Sequence, residues 1–457
     1  MRLIKFTYLF IFLGFMSCGH FSKSDSGVVK ITGKIVNPRT SKMYVSKDFL
    51  MIEVDTLNVD NTNKINTTIN IDHEGLYLCS IFPEFQLFYL KPNDSLAFHI
   101  NVDEFDESLS FSEGLGFENN LLMDLFLINE KENYFFYKRQ QKFSLEAFLQ
   151  KIDSFDQIKK KLLMSNHELI KLTSPKFRKI VDLYANSVTY NLKEQYVKNH
   201  PKLLFSEAFL SYRKIFNKPI ADAGVIDLYS FIDRLINNKV SKVGMNAKEY
   251  YAAIVDFAKN NIKDKNMRDN ILTKYCGAYI ESKKITKEDV VVKHFMQEIG
   301  KEKYKEFCRK KIIKNAKMQK GNVFPNINLI DKYRHLQNND TITKQGKYLV
   351  TFWNYHYRKN FTENLKKLYQ LHSDYPNLNI MILNLNPDDY DSWRMQIPDN
   401  DGLLYFQVRD ARRIKEIKPF HLAQVYLVGQ AKIKQSMLNL YDPNFKQIIE
   451  NFMTEKE

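Results

Sequence analysis

The apolar residues of this chain change their spacing twice, and spacing constrains secondary structure before any other feature does. From residue 28 to about 101, VVKITGKIVN, SKMYVS and TTINID alternate apolar and polar positions, while QLFYL and SLAFHI are short aromatic and β-branched runs. Asn37-Pro38, Glu74-Gly75 and Pro92-Asn93-Asp94 supply turns between them. This predicts a small antiparallel β-domain, a sandwich or partial barrel, over 28–115. In LLMDLFLINE, FLQKIDSFDQIKKKLL and YYAAIVDFAKNNI the spacing becomes three to four. This predicts a helical middle domain of eight to ten helices over 116–318. The remainder mixes both periods. KYLVTFW, NLNIMILNL and LAQVYLV read as buried strands, and FTENLKKLYQLHSDY, DYDSWRMQI and NFKQIIENFM as helices. That predicts an α/β domain with a central mixed sheet over 319–457. The expected fold class is therefore multidomain α+β, and 457 residues are enough for about three domains.

The N-terminus bears on the compartment. Arg2 and Lys5 form a basic start, Thr7 to Met16 is uncharged and apolar, and Ser17 stands before Cys18. The stretch is shorter than the roughly 20 residues of a membrane-spanning helix, so residues 1–17 are expected to be a secretory signal peptide. A small residue followed by cysteine resembles a bacterial lipobox, which implies that Cys18 becomes the acylated first residue. Phe15 and Met16 depart from its usual Leu and small residue, and a plain signal cleaved further on is the alternative. Each buried CH₂ of an acyl chain adds about 0.8 kcal/mol, so two or more chains hold a protein stably at a lipid membrane. Residues 18–27, rich in Ser, Lys and Gly, would be the tether. Gly19 is not the Asp that retains lipoproteins at the inner membrane, which by analogy favours the outer membrane.

The net charge is +15. Residues 138–320 hold 39 Lys/Arg against 20 Asp/Glu, so the surplus sits in the helical segment and the rest is slightly acidic. Those lysines mostly occupy polar helix positions, where charge is usually a solvated face. There is no compact arginine cluster and no basic run interleaved with aromatics. Together with the export signal, this argues against a nucleic-acid partner and leaves anionic lipid or acidic glycan as weaker alternatives.

The C-terminal segment resembles the thioredoxin-like domain of exported thiol–disulfide oxidoreductases of the TlpA/ResA type. Gly321, Pro325 and Leu329 in GNVFPNINLI are similar to the opening motif of that family. GKYLVTFW resembles its first core strand, ending in the Phe-Trp that precedes the redox motif, and LAQVYLVG resembles the strand that opens with a cis-proline. ITGKIVN, FYLKPNDSLAFHI and FSEGLGFENNLLMDLF are similar to the small β-domain ahead of such domains in Bacteroidetes-type lipoproteins.

The resemblance implies thiol exchange, which needs two cysteines two residues apart at a helix N-terminus, where the thiol pKa falls. Here Trp353 is followed by Asn354-Tyr355-His356-Tyr357-Arg358, and no cysteine follows Cys308. The loop is also about two residues short of the family pattern, and Ala423 stands at the cis-proline position. The redox motif is degenerate. Cys276 and Cys308 either pair in an oxidising compartment or stay separate buried thiols, and Cys79 reads as a small buried hydrophobe. There is no HExxH and no His/Cys cluster at ligand spacing, so no metal and no cofactor are expected.

The function expected is an envelope lipoprotein whose redox-inactive thioredoxin-like domain binds an unidentified peptide or protein partner. Trp353, Tyr355, His356 and Tyr357 would form one wall of the groove, and Ala423 and Gln424 the other. The rival is an oxidoreductase-related enzyme working through Cys276 and Cys308 or through a partner's thiols. A structural envelope protein is the third reading.

Overall fold

A computed structural model describes residues 26–455 except 47, 49, 82–83, 138, 140–141, 218–225, 241–244, 283–284, 286–287, 354–357, 386–389, 399–401, 410–413, 415–416 and 418–423. The expected signal peptide and Cys18 lie outside the described residues.

The first strands form two four-stranded sheets. β1 (Gly27–Val36), β4 (Lys64–Ile71), β7 (Ser95–Asn101) and β8 (Ser110–Gly114) make one, in the order β4-β1-β7-β8. β2 (Lys42–Ser46), β3 (Val54–Asn58), β5 (Gly75–Ile81) and β6 (Glu84–Leu90) make the other, in the order β3-β2-β5-β6. Phe88 of β6 meets Phe98 of β7 and Phe111 of β8 at 5.5 and 4.9 Å between ring centroids, both edge-on, so the two sheets face one another across an aromatic core.

One pairing corrects the expectation of an antiparallel domain: β1 runs parallel to β7. Between them the chain crosses to the second sheet and back twice, and so long an excursion lets a strand return in the same direction. Gly33 is required in that pair, because the Phe98 ring lies only 2.3 Å from where a Cβ would stand. Gly114 sits at φ +46 against the Ser95 backbone, a conformation and a closeness that a side chain would not tolerate.

Asp106 lies in α1 (Phe105–Ser108), the short helix between β7 and β8. Burial, reinforced by Glu130, Glu84 and Glu107, pushes its carboxyl up to about 6 from an ordinary value of 3.8. A carboxylate raised in the folded state contributes stability that is present below pH 3.8 and lost as pH rises through about 6. Asp106→Asn is therefore expected to be the more stable chain at pH 7 and nearly equal to wild type at pH 4. Because the group is partly solvated, the gain should stay under about 1 kcal/mol in urea titrations.

The middle segment holds nine α-helices among the described residues: α2 (Gly116–Phe136), α3 (Leu145–Ser165), α4 (His167–Leu172), α5 (Pro175–Asn199), α6 (Ile226–Val240), α7 (Ala247–Asn261), α8 (Lys265–Ser282), α9 (Val290–Glu298) and α10 (Glu302–Lys317). Side-chain caps start α3, α5 and α7. Ser144 and Ser174 accept from backbone N–H groups three residues on, Pro175 follows the second cap, and Asn246 forms a reciprocal box with Glu249. The β segment and the helices share one hydrophobic core from Val29 to Ile312. Buried Asn119 of α2 ties them together, accepting from Tyr89 N at 2.8 Å and donating to Tyr89 O at 3.0 Å.

The C-terminal segment contains β9 (Asn328–Asp331), β10 (Leu336–Asn338), α11 (Asn339–Thr343), β11 (Lys347–Trp353), α12 (Arg358–Asp374), β12 (Asn379–Asn384), α13 (Tyr390–Arg394), β13 (Leu404–Val408), β14 (Gln424–Gly429), β15 (Lys432–Asn439) and α14 (Phe445–Thr454). Its seven-stranded sheet has the order β10-β9-β13-β12-β11-β14-β15. β11, β12 and β13 are parallel; β9 and β14 run against them. The strands read as KYLVTFW, NLNIMILNL and LAQVYLV are β11, β12 and β14, and the helices read as FTENLKKLYQLHSDY and NFKQIIENFM are α12 and α14. The pleat divides the core, with Leu349, Trp353, Val425 and Leu427 on one face and Val350, Phe352, Tyr426 and Val428 on the other.

Candidate functional site

In open α/β sheets, ligands bind beyond the carboxyl ends of the parallel strands. Here that end carries an unusual row. Trp353, the last residue of β11, pairs with Asn384, the last of β12, and Asn384 pairs with Gln407 of β13. Residues paired this way share one face of a sheet. All three are buried, at 2%, 0% and 2% exposure, so two amides and an indole lie under the strand ends. The carbonyl of Trp353 also accepts from Leu385 N at 2.9 Å, fixing the chain as it leaves β12.

Tyr355, His356, Tyr357 and Ala423, four of the expected wall residues, lie outside the described residues. The other two expected wall residues, Trp353 and Gln424, are described, and both are buried. Trp353 stands edge-on to Tyr405, centroids 6.5 Å apart, in the same cluster as Trp393. Gln424 is 4% exposed. It precedes Val425 and follows the pleat to the opposite face from Trp353. As they stand, the two are core residues on opposite faces of the sheet rather than facing walls of one groove. Their burial depends on Trp393, Tyr405 and neighbouring strands distant in sequence, which a strand-end aromatic does not announce.

The cysteines behave differently. Cys79, Cys276 and Cys308 are free and buried. Burial raises the Cys79 thiol well above its ordinary range. Cys276 and Cys308 share a side-chain hydrogen bond, which, with burial, holds the Cys276 thiol up in the same way. Neutral, water-excluded thiols are poor nucleophiles.

A second constellation is one that the sequence pattern missed. Between α5 and α6 lies a cavity of about 490 Å³ whose lining includes Glu194, Lys198, Arg234 and Asn238. Glu194 is fully buried. It accepts from Arg213 Nε at 2.5 Å and Nη2 at 2.8 Å, from Tyr212 Oη at 2.8 Å and from Asn238 Nδ2 at 2.7 Å. Burial, followed by the Glu194 charge, pushes the Tyr212 hydroxyl far above its ordinary range, so it stays a donor. Arg213 pairs with Glu194, and the other charged groups among the described lining residues are Arg234 and Lys198. Arg234 is fixed by Nε donating to Asn191 Oδ1 at 2.6 Å. The legible signal was spacing: Asn191, Glu194 and Lys198 recur at three and four on α5, and Arg234 and Asn238 at four on α6. Among the described residues no His, Cys, Asp or Glu group is arranged to hold a metal ion, and no helix is long and apolar enough to cross a membrane.

No protein-family model and no curated protein matches the chain. Several solved structures are similar to it. A thioredoxin-like protein from Bacteroides caccae is 15% identical, covering 59% of this chain and 94% of its own, with a TM-score of 0.28. The thioredoxin domain of a thiol–disulfide oxidoreductase from Bacteroides vulgatus is 20% identical over 29% of this chain and 96% of its own, with a TM-score of 0.23. A thiol peroxidase from Chromobacterium violaceum is 11% identical over 30% of this chain and 85% of its own, also with a TM-score of 0.23.

Proposed function

We propose that this chain is a membrane-anchored envelope lipoprotein, held through Cys18, whose thioredoxin-like unit binds a peptide or protein partner and turns over no disulfide. The observation that carries this reading is the junction of β11 and α12: in a sheet of this order it is where exchange chemistry would sit, and Asn354 to Arg358 contains no thiol. Tyr355, His356 and Tyr357 are suited to contact rather than catalysis, since aromatic and imidazole side chains offer large area at low entropic cost.

The test is cross-linking capture from the envelope with the full chain. Wild type is expected to retain a protein partner that the Tyr355→Ala/His356→Ala chain loses by tenfold or more, with folding unchanged by circular dichroism. In the same cells Cys18→Ala should move the protein from membrane to soluble fraction. A partner held equally by the double variant removes the segment between β11 and α12 from the account.

A further inference from the structure

Three contacts fix how α8 lies against α10. Asn315 Nδ2 donates to Ile280 O at 2.5 Å, the Lys311 side chain passes within 3.4 Å of where Gly277 would carry a Cβ, and Lys311 pairs with Glu281. From Gly277–Lys311 to Ile280–Asn315 the numbers rise together, so α8 and α10 run in parallel. Between the Asp269 carboxylate, which accepts from Gly300 N and Lys301 N at 2.8 and 2.9 Å, and the Asn315 contact, the Cys276 and Cys308 side chains come within hydrogen-bonding reach of one another. Both are 0% exposed, and each would present its thiol to the other across the helix interface. No other described cysteine competes: Cys79 sits in β5, in the sheet formed with β2, β3 and β6.

We propose that Cys276 and Cys308, free thiols in this structure, are oxidised in the exported protein to a disulfide that bridges α8 and α10. The oxidant is a low-molecular-weight disulfide met while the chain is still folding and the pair is open to solvent. One cysteine thiolate attacks a sulfur of that disulfide, forming a mixed disulfide and releasing one small thiolate. The second cysteine then attacks the protein sulfur of the mixed disulfide, forming the S–S bond and releasing the other small thiolate. Both cysteines lose their protons, the pair is oxidised by two electrons, and one small disulfide is reduced to two thiols. The ammonium of Lys311, one turn along α10 from Cys308, favours the attacking thiolate while the site is wet. Closure of the core then shields the bond from reductant.

This bridge is independent of the partner-binding reading. It also bears on α10 as the last helix before the C-terminal sheet, where Asn315 and Gln319 reach Met437 of β15.

The test refolds the reduced full chain with oxidised and reduced glutathione, alkylates it in denaturant, and maps peptides without reduction. The expected result is one linked pair containing Cys276 and Cys308, resistant to dithiothreitol in the native protein and cleaved by it in urea. The bridged chain should melt about 5–10 °C above the reduced chain. Cys276→Ala should show neither link nor shift. Recovery of both residues as alkylated thiols, or linkage of either to Cys18 or Cys79, overturns the assignment.

Discussion

Replacing Lys159 by alanine is expected to destabilise the protein by about 3–5 kcal/mol at pH 7, because it strands a carboxylate inside the helical core. Lys159 and Glu132 are 3% and 0% exposed. The ammonium donates to Glu132 Oε2 at 2.5 Å and to Ala185 O at 2.9 Å. The Thr189 hydroxyl lies 3.1 Å from both Glu132 Oε1 and Asp156 Oδ1 and can donate to one at a time. Burial pushes the Glu132 carboxyl above its ordinary 4.5, and Lys159 is the strongest influence in the other direction. Without the lysine the carboxyl rises further. A raised folded pKa means stability that is present below 4.5 and lost as pH climbs through the folded value. The deficit of Lys159→Ala should therefore be larger at pH 8 than at pH 5. A well-packed Glu132→Leu/Lys159→Met chain should recover most of it, since replacing both partners leaves no charge uncompensated. Urea midpoints followed by far-UV circular dichroism measure all three. A loss below about 1 kcal/mol for Lys159→Ala, the range of solvated pairs, would show that the pair is not sealed from water.

The second large effect concerns Trp353. Trp353→Ala should cost the C-terminal unit about 3–5 kcal/mol, as expected for removing a buried indole from a packed cluster. Trp353→Phe, which keeps an aromatic ring against Tyr405, should cost much less. The chain has two tryptophans, Trp353 and Trp393, both in this unit, so Trp393 fluorescence reports the unfolding of the variant. A residue on an open groove would give the opposite pattern, with stability unchanged and partner binding reduced.

Much of the architecture was legible because it follows from local pattern. The period of VVKITGKIV, the caps at Ser144, Ser174 and Asn246, and the alternation of KYLVTFW with an amphipathic helix each specify an element from neighbouring residues. What was not legible depends on contacts far apart in sequence. Nothing in GVVKITGKIV says that it will pair in parallel with SLAFHIN. The strands LYFQV and KIKQSMLN went unread. The second is broken by a register shift, and Met437 within it sits at φ +56. Lys159 looked like one lysine among many on a solvated face; only packing of α3 (Leu145–Ser165) against α2 and α5 shows that it is buried. The site was half legible. The missing thiols are plain in the sequence, whereas the buried row of Trp353, Asn384 and Gln407 emerges only when three strands are set side by side.

The central claim is that a thioredoxin-like frame has been kept without its thiol exchange. Insulin reduction by the full chain, with dithiothreitol as electron source, measures that directly. The expected rate equals that of dithiothreitol alone, for wild type and for Cys276→Ser and Cys308→Ser alike. A wild-type rate above that background, abolished by either substitution, would contradict the account and make the buried pair in the helical segment a catalytic one.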